Sequence, residues 1–227
     1  MGILDEKAAA DKTPSADQEG VTKFDLCFEK RPPLPKARLD PLNDWRRILF
    51  DLGLLGEETT PVGLVGFGNV SQRLQQGPKG REHFLITATQ TGGKPVLTAR
   101  DYSIVTAWDL DANRIYAEGP AAPSSESLTH AAIYAIAANV RFIFHVHSSP
   151  IWSQAARLGL PATAAHIPYG TPAMAQEMQR LLATLSDRKT HIVAMAGHTN
   201  GIIAFGETAE ATGNALIQTL GEARARL

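Results

Sequence analysis

Cysteine is nearly missing from this chain, and so is any imbalance of charge. The lone Cys27 excludes an intramolecular disulfide framework and any cysteine-based metal cage, and it fits a reducing, cytoplasmic setting. With 22 Lys and Arg against 23 Asp and Glu, and a formal net charge of -1, there is no electrostatic footprint for nucleic acid or for an anionic membrane surface. No apolar run reaches the roughly 18 residues of a membrane span, and the opening MGILDEKAAADKTPSADQEG lacks an apolar core of signal-peptide length. The chain has 227 residues, enough to bury a proper core without staples, and small-molecule work is favoured. A metal, if one is used, must be held by histidine and carboxylate.

Residues 1–39 read as an extended or disordered N-terminal arm: the first part is polar, alanine-rich and aperiodic, and KRPPLPKA suits a polyproline-type conformation. Order is expected over 40–227. In DPLNDWRRILFDLGLLG, Asp40 can cap a helix, Pro41 suits its first position, Leu42, Trp45, Ile48, Leu49 and Leu52 form one apolar stripe, and Gly53 is the stop. Between 61 and 120, short β-type runs are separated by glycine and proline. From Pro123 the pattern becomes helix, strand, helix: SSESLTHAAIYAIAAN, VRFIFHVH, IWSQAARLGL, PAMAQEMQRLLATL, two short strands in HIVAMAGHTNGIIAF, and a last helix from about 207 to 224. Helices and strands that alternate without repeated crossover units argue for an α/β layered domain with a mixed sheet.

The run FIFHVHSSP sets His145 and His147 two residues apart. On a strand both imidazoles project to one side and Val146 to the other. Two buried neutral imidazoles side by side must find hydrogen-bond partners, so the pair is either a metal site or a pair of satisfied structural histidines. A catalytic zinc-type site needs three protein ligands and an open position. The other histidines are His83, His130, His166, His191 and His198. His198 is favoured by context, since MAGHTNG places it at a strand-to-turn junction where a nearby glycine lets the backbone bend. In PSSESLTH, Glu126 stands at a helix start behind two serines, where N–H groups and hydroxyls make an anion site; the helix dipole alone also accounts for a glutamate there.

The segments GNVSQR (68–73), LIT (85–87), PSSES (123–127), HVH (145–147), IPYGT (167–171) and GHTNG (197–201) stand in the order and spacing of the class II aldolase/adducin-like family. The resemblance spans about 40–224 and includes sugar-phosphate aldolases such as fuculose phosphate aldolase. GLVGFGNVS, by contrast, lacks the third glycine and the helix of a dinucleotide loop. The resemblance implies a three-layer α/β/α sandwich around a mixed, largely antiparallel sheet, assembled as a homotetramer with the site near a subunit boundary. It implies that His145, His147 and His198 bind a divalent ion, Zn²⁺ by donor type with Mn²⁺ or another divalent ion as alternative. Glu126 is then the acid/base, and Asn69, Thr87, Ser124 and Ser125 contact the substrate's phosphate.

The implied activity is retro-aldol cleavage of a small hydroxycarbonyl compound, a sugar or sugar phosphate, through a metal-stabilised enediolate. A dehydratase, epimerase or decarboxylase on the same scaffold is the alternative, and a non-catalytic adducin-like module the third reading. Three departures from the family pattern carry expectations. The family's serine/threonine-glycine pair after the threonine strand is replaced by TATQTGGKP, so the phosphate pocket should differ. Thr199 and Asn200 lengthen the turn after His198, which should move that ligand or reshape the entrance. The chain ends in GEARARL without a tyrosine, leaving Tyr169 as candidate proton donor, against simple packing on the sheet edge.

Overall fold

The computed structural model describes residues 21–61, 63–74, 83–185 and 190–227. Among these, ten strands and five α-helices follow in the order β1 (Asp25–Lys30), α1 (Asp40–Asp51), β2 (Gly56–Thr60), β3 (Gly63–Phe67), β4 (Asn69–Arg73), β5 (Phe84–Thr87), β6 (Tyr102–Asp109), β7 (Arg114–Gly119), α2 (Ser127–Ile136), β8 (Phe142–His147), α3 (Ser149–Gln154), α4 (Pro172–Leu182), β9 (Thr190–Ala194), β10 (Gly201–Gly206) and α5 (Ala209–Arg224). Eight strands form one sheet in the order β1-β7-β6-β5-β4-β8-β10-β9, and β2 and β3 make a separate hairpin. Every pairing in the large sheet is antiparallel except β1 with β7.

Two apolar cores lie on opposite faces of that sheet. One is filled by Leu128 and Ala132 of α2 and Met174 and Met178 of α4, against Ile143, Ile203 and Phe205. The other takes Leu42 and Leu49 of α1, Ile151 of α3 and Leu216 and Leu220 of α5, against Phe144, Val146, Ile202 and Ala204. Alternate residues of β8 and β10 therefore enter different cores, which is why both strands read as continuous apolar runs. The result is the three-layer α/β/α sandwich with a mixed, largely antiparallel sheet. Among the described residues, no helix is long and apolar enough to cross a membrane.

Local chemistry sets the helix ends. Thr171 and Thr208 accept the N–H groups of Met174 and Ala211 and so cap α4 and α5. Helix α1 departs from expectation: its N-cap is Leu39, without a side-chain bond, and Asp40 is already helical. Its stripe is also rotated. Ile48 and Leu52 remain 40% and 36% exposed while Arg46 is buried at 2%. The Arg46 guanidinium donates to the carbonyls of Thr91, Gly92 and Pro95, so a charged residue closes one end of this face by ordering a loop rather than by adding apolar area.

That loop is TATQTGGKP. Its delayed glycines serve the β2–β3 hairpin: a Cβ on Gly92 would lie 2.4 Å from the carbonyl oxygens of Gly56 and Phe67, and one on Gly93 would meet the Glu57 side chain at 2.3 Å. Gln90, at φ 58°, accepts the Gly66 N–H. The hairpin is thus seated on the loop after β5. Within the stretch expected as an arm, Asp25–Lys30 forms edge strand β1, in register with Arg114–Gly119.

Candidate metal site

Strand β8 is held between β4 and β10, and its alternation aims His145 and His147 the same way. The turn from β9 to β10 brings in His198: its N–H donates to Met195 O, and Gly201 N–H returns to His198 O. Asn200, at φ 63°, takes the left-handed position, and its carbonyl accepts the Ser148 N–H. The lengthened turn therefore keeps His198 with the other two. One ligand nitrogen from each of His145, His147 and His198 lies within 4.8 Å of the others. No other described histidine joins them: His191 lies tilted against Phe205, with ring centres 5.4 Å apart, and His130 bonds Ser71.

His145 is wholly buried. Its Nδ1 meets Ile202 O at 3.2 Å, which turns Nε2 into the cluster, and that Nε2 has no hydrogen-bond partner. Burial first, then the neighbouring rings of His198, His147 and His130, hold its pKa well below the ordinary histidine value. A neutral imidazole presents a lone pair, so the donor set suits a divalent ion; the backbone bond to its other nitrogen is the orientation metal-bound histidines adopt. Phe67 stacks on His147 at 5.0 Å and Tyr169 on His198 at 4.3 Å.

Glu126, 1% exposed, is the fourth member. Its Oε1 lies 3.5 Å from His198 Nδ1 and 3.8 Å from His145 Nε2. With His145 neutral, the second contact is not an ion pair. Oε2 accepts from Thr129 Oγ1 at 3.3 Å, so one oxygen is anchored on α2 while the other faces the histidines. The Ser124 hydroxyl accepts the Glu126 N–H, and Ser127 Oγ donates to Ser124 O; the serines of PSSES shape this helix start.

Asn69 is paired in register with His145. It is buried, and its Oδ1 has no hydrogen-bond partner. Thr87, at the end of β5, accepts the Val70 N–H through Oγ1 and the Ser124 N–H through its carbonyl. Ser124 and Ser125 are buried beside it. A cavity of about 160 Å³ opens over the cluster, lined by Glu58, His147, Tyr169, Gly197, His198, Thr199 and Asn200.

Sequence reasoning missed Glu58 and Phe67, which come from the β2–β3 hairpin, and nothing local in GEETT signals a carboxylate at this cavity. It also left unused the network under α2, where Ser71 Oγ bonds both His130 Nδ1 (2.7 Å) and Tyr134 Oη (2.8 Å). Burial pushes the His130 imidazole down to about 3, against about 6.5 in an unfolded chain. Between those values the unfolded state binds a proton that the folded state refuses, so this contribution to stability is whole above about pH 6.5 and is lost as the pH falls toward 3. The urea midpoint of metal-free protein is expected to drop between pH 7 and pH 4, and to drop less steeply in His130→Leu; equal slopes in both proteins would count against this assignment.

The sequence profile of the class II aldolase and adducin N-terminal domain matches residues 62–224. No curated protein matches the chain. Similar solved structures include a sugar-phosphate aldolase from Thermotoga maritima, 15% identical over 81% of this chain and 90% of that one, with a TM-score of 0.61. L-fuculose-1-phosphate aldolase from Thermus thermophilus is 21% identical over 83% and 92% of the two chains, with a TM-score of 0.58. YgbL from Klebsiella pneumoniae, for which aldolase, epimerase and decarboxylase are named together, is 20% identical over 85% and 89%, with a TM-score of 0.60. At these identities the structures speak for the fold, and the profile match over most of the chain speaks for the family: this protein belongs to the class II aldolase and adducin N-terminal domain family.

Proposed function

We propose that the protein is a divalent-metal-dependent lyase that cleaves a small hydroxycarbonyl substrate by retro-aldol chemistry. The observation that carries the reading is one buried constellation: His145, His147 and His198 gathered within 4.8 Å, with the Glu126 carboxylate 3.5 and 3.8 Å from two of them. An interaction module has no use for three converging imidazoles and a buried carboxylate. A divalent ion held by the three histidines, Zn²⁺ by donor type, supplies Lewis acidity toward the oxygen on which negative charge builds as a carbon–carbon bond breaks.

The remaining roles belong to the protein's own side chains. Glu126 Oε1 takes the proton of the substrate hydroxyl or returns one to the carbon, while Thr129 keeps the carboxylate oriented. Tyr169, buried and stacked on His198, is the group at the cavity we assign as proton donor. We assign the anionic end of the substrate to Asn69, Thr87, Ser124 and Ser125, buried together at the start of α2, whose hydroxyls, amide NH₂ and backbone N–H groups are the donors an anion needs. Phosphate is favoured over carboxylate there by the four retained contact residues, and only slightly, because the glycines of the loop after Thr87 are committed to the hairpin. As for its setting, we place the protein in the cytoplasm as a homotetramer, in keeping with the family resemblance and with one cysteine in the chain.

The test is to load the full chain with Zn²⁺ or Mn²⁺ and incubate it in deuterated buffer with paired phosphorylated and unphosphorylated ketoses, followed by NMR. Aldehyde release establishes the lyase. Deuterium at the carbon beside the carbonyl without cleavage assigns an epimerase, and carbon dioxide from an acid substrate a decarboxylase. In the Ser124→Ala, Ser125→Ala double variant, affinity for the phosphorylated ligand is expected to fall about tenfold, the scale of one or two hydrogen bonds to a charged group, with the unphosphorylated ligand unchanged. Equal affinities in both proteins would remove the anion site.

A further inference from the structure

We infer that Lys23 is a positioning residue of this site, holding Tyr169 flat against His198. The inference rests on the metal reading above. Lys23 lies outside the stretch matched by the family profile, 62–224, so the family's shared sequence does not supply it. Its Nζ sits 3.6 Å from the centre of the Tyr169 ring and donates to the Tyr169 carbonyl oxygen at 3.1 Å. The same ring stacks on His198 at 4.3 Å, 25° from parallel. Ammonium, phenol and imidazole therefore form one stack that ends on a candidate ligand.

Each partner of the stack is anchored from its own side. The Lys23 carbonyl accepts from Asn113 Nδ2 at 2.7 Å, Asp25 N–H donates to Asn113 O, and Phe24 is buried in the core beneath α2. Lys23 is thus pinned by the start of β1. Tyr169 is followed by Gly170 at φ 66°, where a Cβ would stand 3.3 Å from Ser125 O, so the tyrosine turn is wedged between the start of α2 and Lys23. His198 is set by its own turn. The aromatic face carries negative potential, which attracts the ammonium and equally attracts an imidazole polarised by a bound cation. The stack tightens when His198 holds a divalent ion, and removing the ammonium frees Tyr169 to leave the imidazole. Water and chelators then reach His198 more readily.

The readout is release of Zn²⁺ from the loaded full chain to a chromogenic chelator, with urea unfolding run beside it. Lys23→Met, which keeps the apolar stem and loses the charge, is expected to release zinc about fivefold faster, the factor that one cation–π contact supplies, with the urea unfolding still cooperative and its midpoint lowered only slightly. Lys23→Arg should restore slow release, and Tyr169→Phe should preserve it. Tyr169→Ala should release zinc fast, with Lys23→Met adding nothing in the double variant, because both act through one ring. A Lys23→Met protein that loads zinc and releases it at the wild-type rate, or whose effect adds in full to that of Tyr169→Ala, overturns the clamp and leaves the metal reading standing. A wild-type chain that takes up no zinc overturns the metal reading and the clamp with it.

Discussion

Alanine at His145 is expected to strip the protein of its divalent ion. The imidazole is wholly buried, held neutral, and oriented by the Ile202 carbonyl, so its nitrogen is already in place for a cation without reorganisation. Losing an outer-shell partner of a metal ligand costs roughly ten- to a hundredfold in affinity, and losing a ligand itself should cost more. Elemental analysis after gel filtration of metal-loaded protein measures it. Because His145→Ala also leaves a hole in the sheet's packed face, His147→Ala, at the half-buried end of β8, is the companion variant; both should lose the metal while His147→Ala keeps the far-ultraviolet spectrum of the wild type. Full occupancy in either variant would remove that histidine from the ligand set.

The second large effect is expected at Glu126. Glu126→Gln keeps the shape of the side chain and its contact with Thr129 but cannot carry a proton. Turnover on any substrate identified for the enzyme should fall roughly a hundredfold or more, the scale of general acid–base catalysis, with metal content and thermal stability close to wild type. The loss should appear in kcat rather than KM if, as proposed, the carboxylate acts in the proton transfer itself. A variant that turned over within a few-fold of wild type would make Glu126 a helix-start residue and nothing more.

Most of the site can be read from local patterns because its residues sit on elements with strong periodicity. Phe142, Phe144 and Val146 alternate with Ile143, His145 and His147 between two cores, and that period of two forces the histidines onto one face whatever surrounds them. Glu126, Ser124 and Ser125 are legible as a helix start. What is not legible depends on contacts far apart in the chain. Arg46 looks like a solvent residue between apolar neighbours, and only the carbonyls of Thr91, Gly92 and Pro95 explain its burial. Gly92 and Gly93 show in sequence only as a departure from the family's glycine pair, and the hairpin that takes up their space explains it. Strand β1 has a short, half-polar pattern at a sheet edge, and its pairing partner stands 89 residues away, so nothing near it in sequence announces a strand.

The parallel pairing of β1 with β7 carries a consequence for the order of assembly. All other neighbours in the large sheet are antiparallel, and β1 touches that sheet through β7 alone. It therefore has no template until β7 is in place, and docking it closes a long loop whose entropy must be offset by the contacts it forms. This strand, the first in sequence among the described residues, is among the last that can be added to the sheet. Lys23 arrives with it, so the stack on His198 is completed only when the segment leading into β1 returns to a sheet already built.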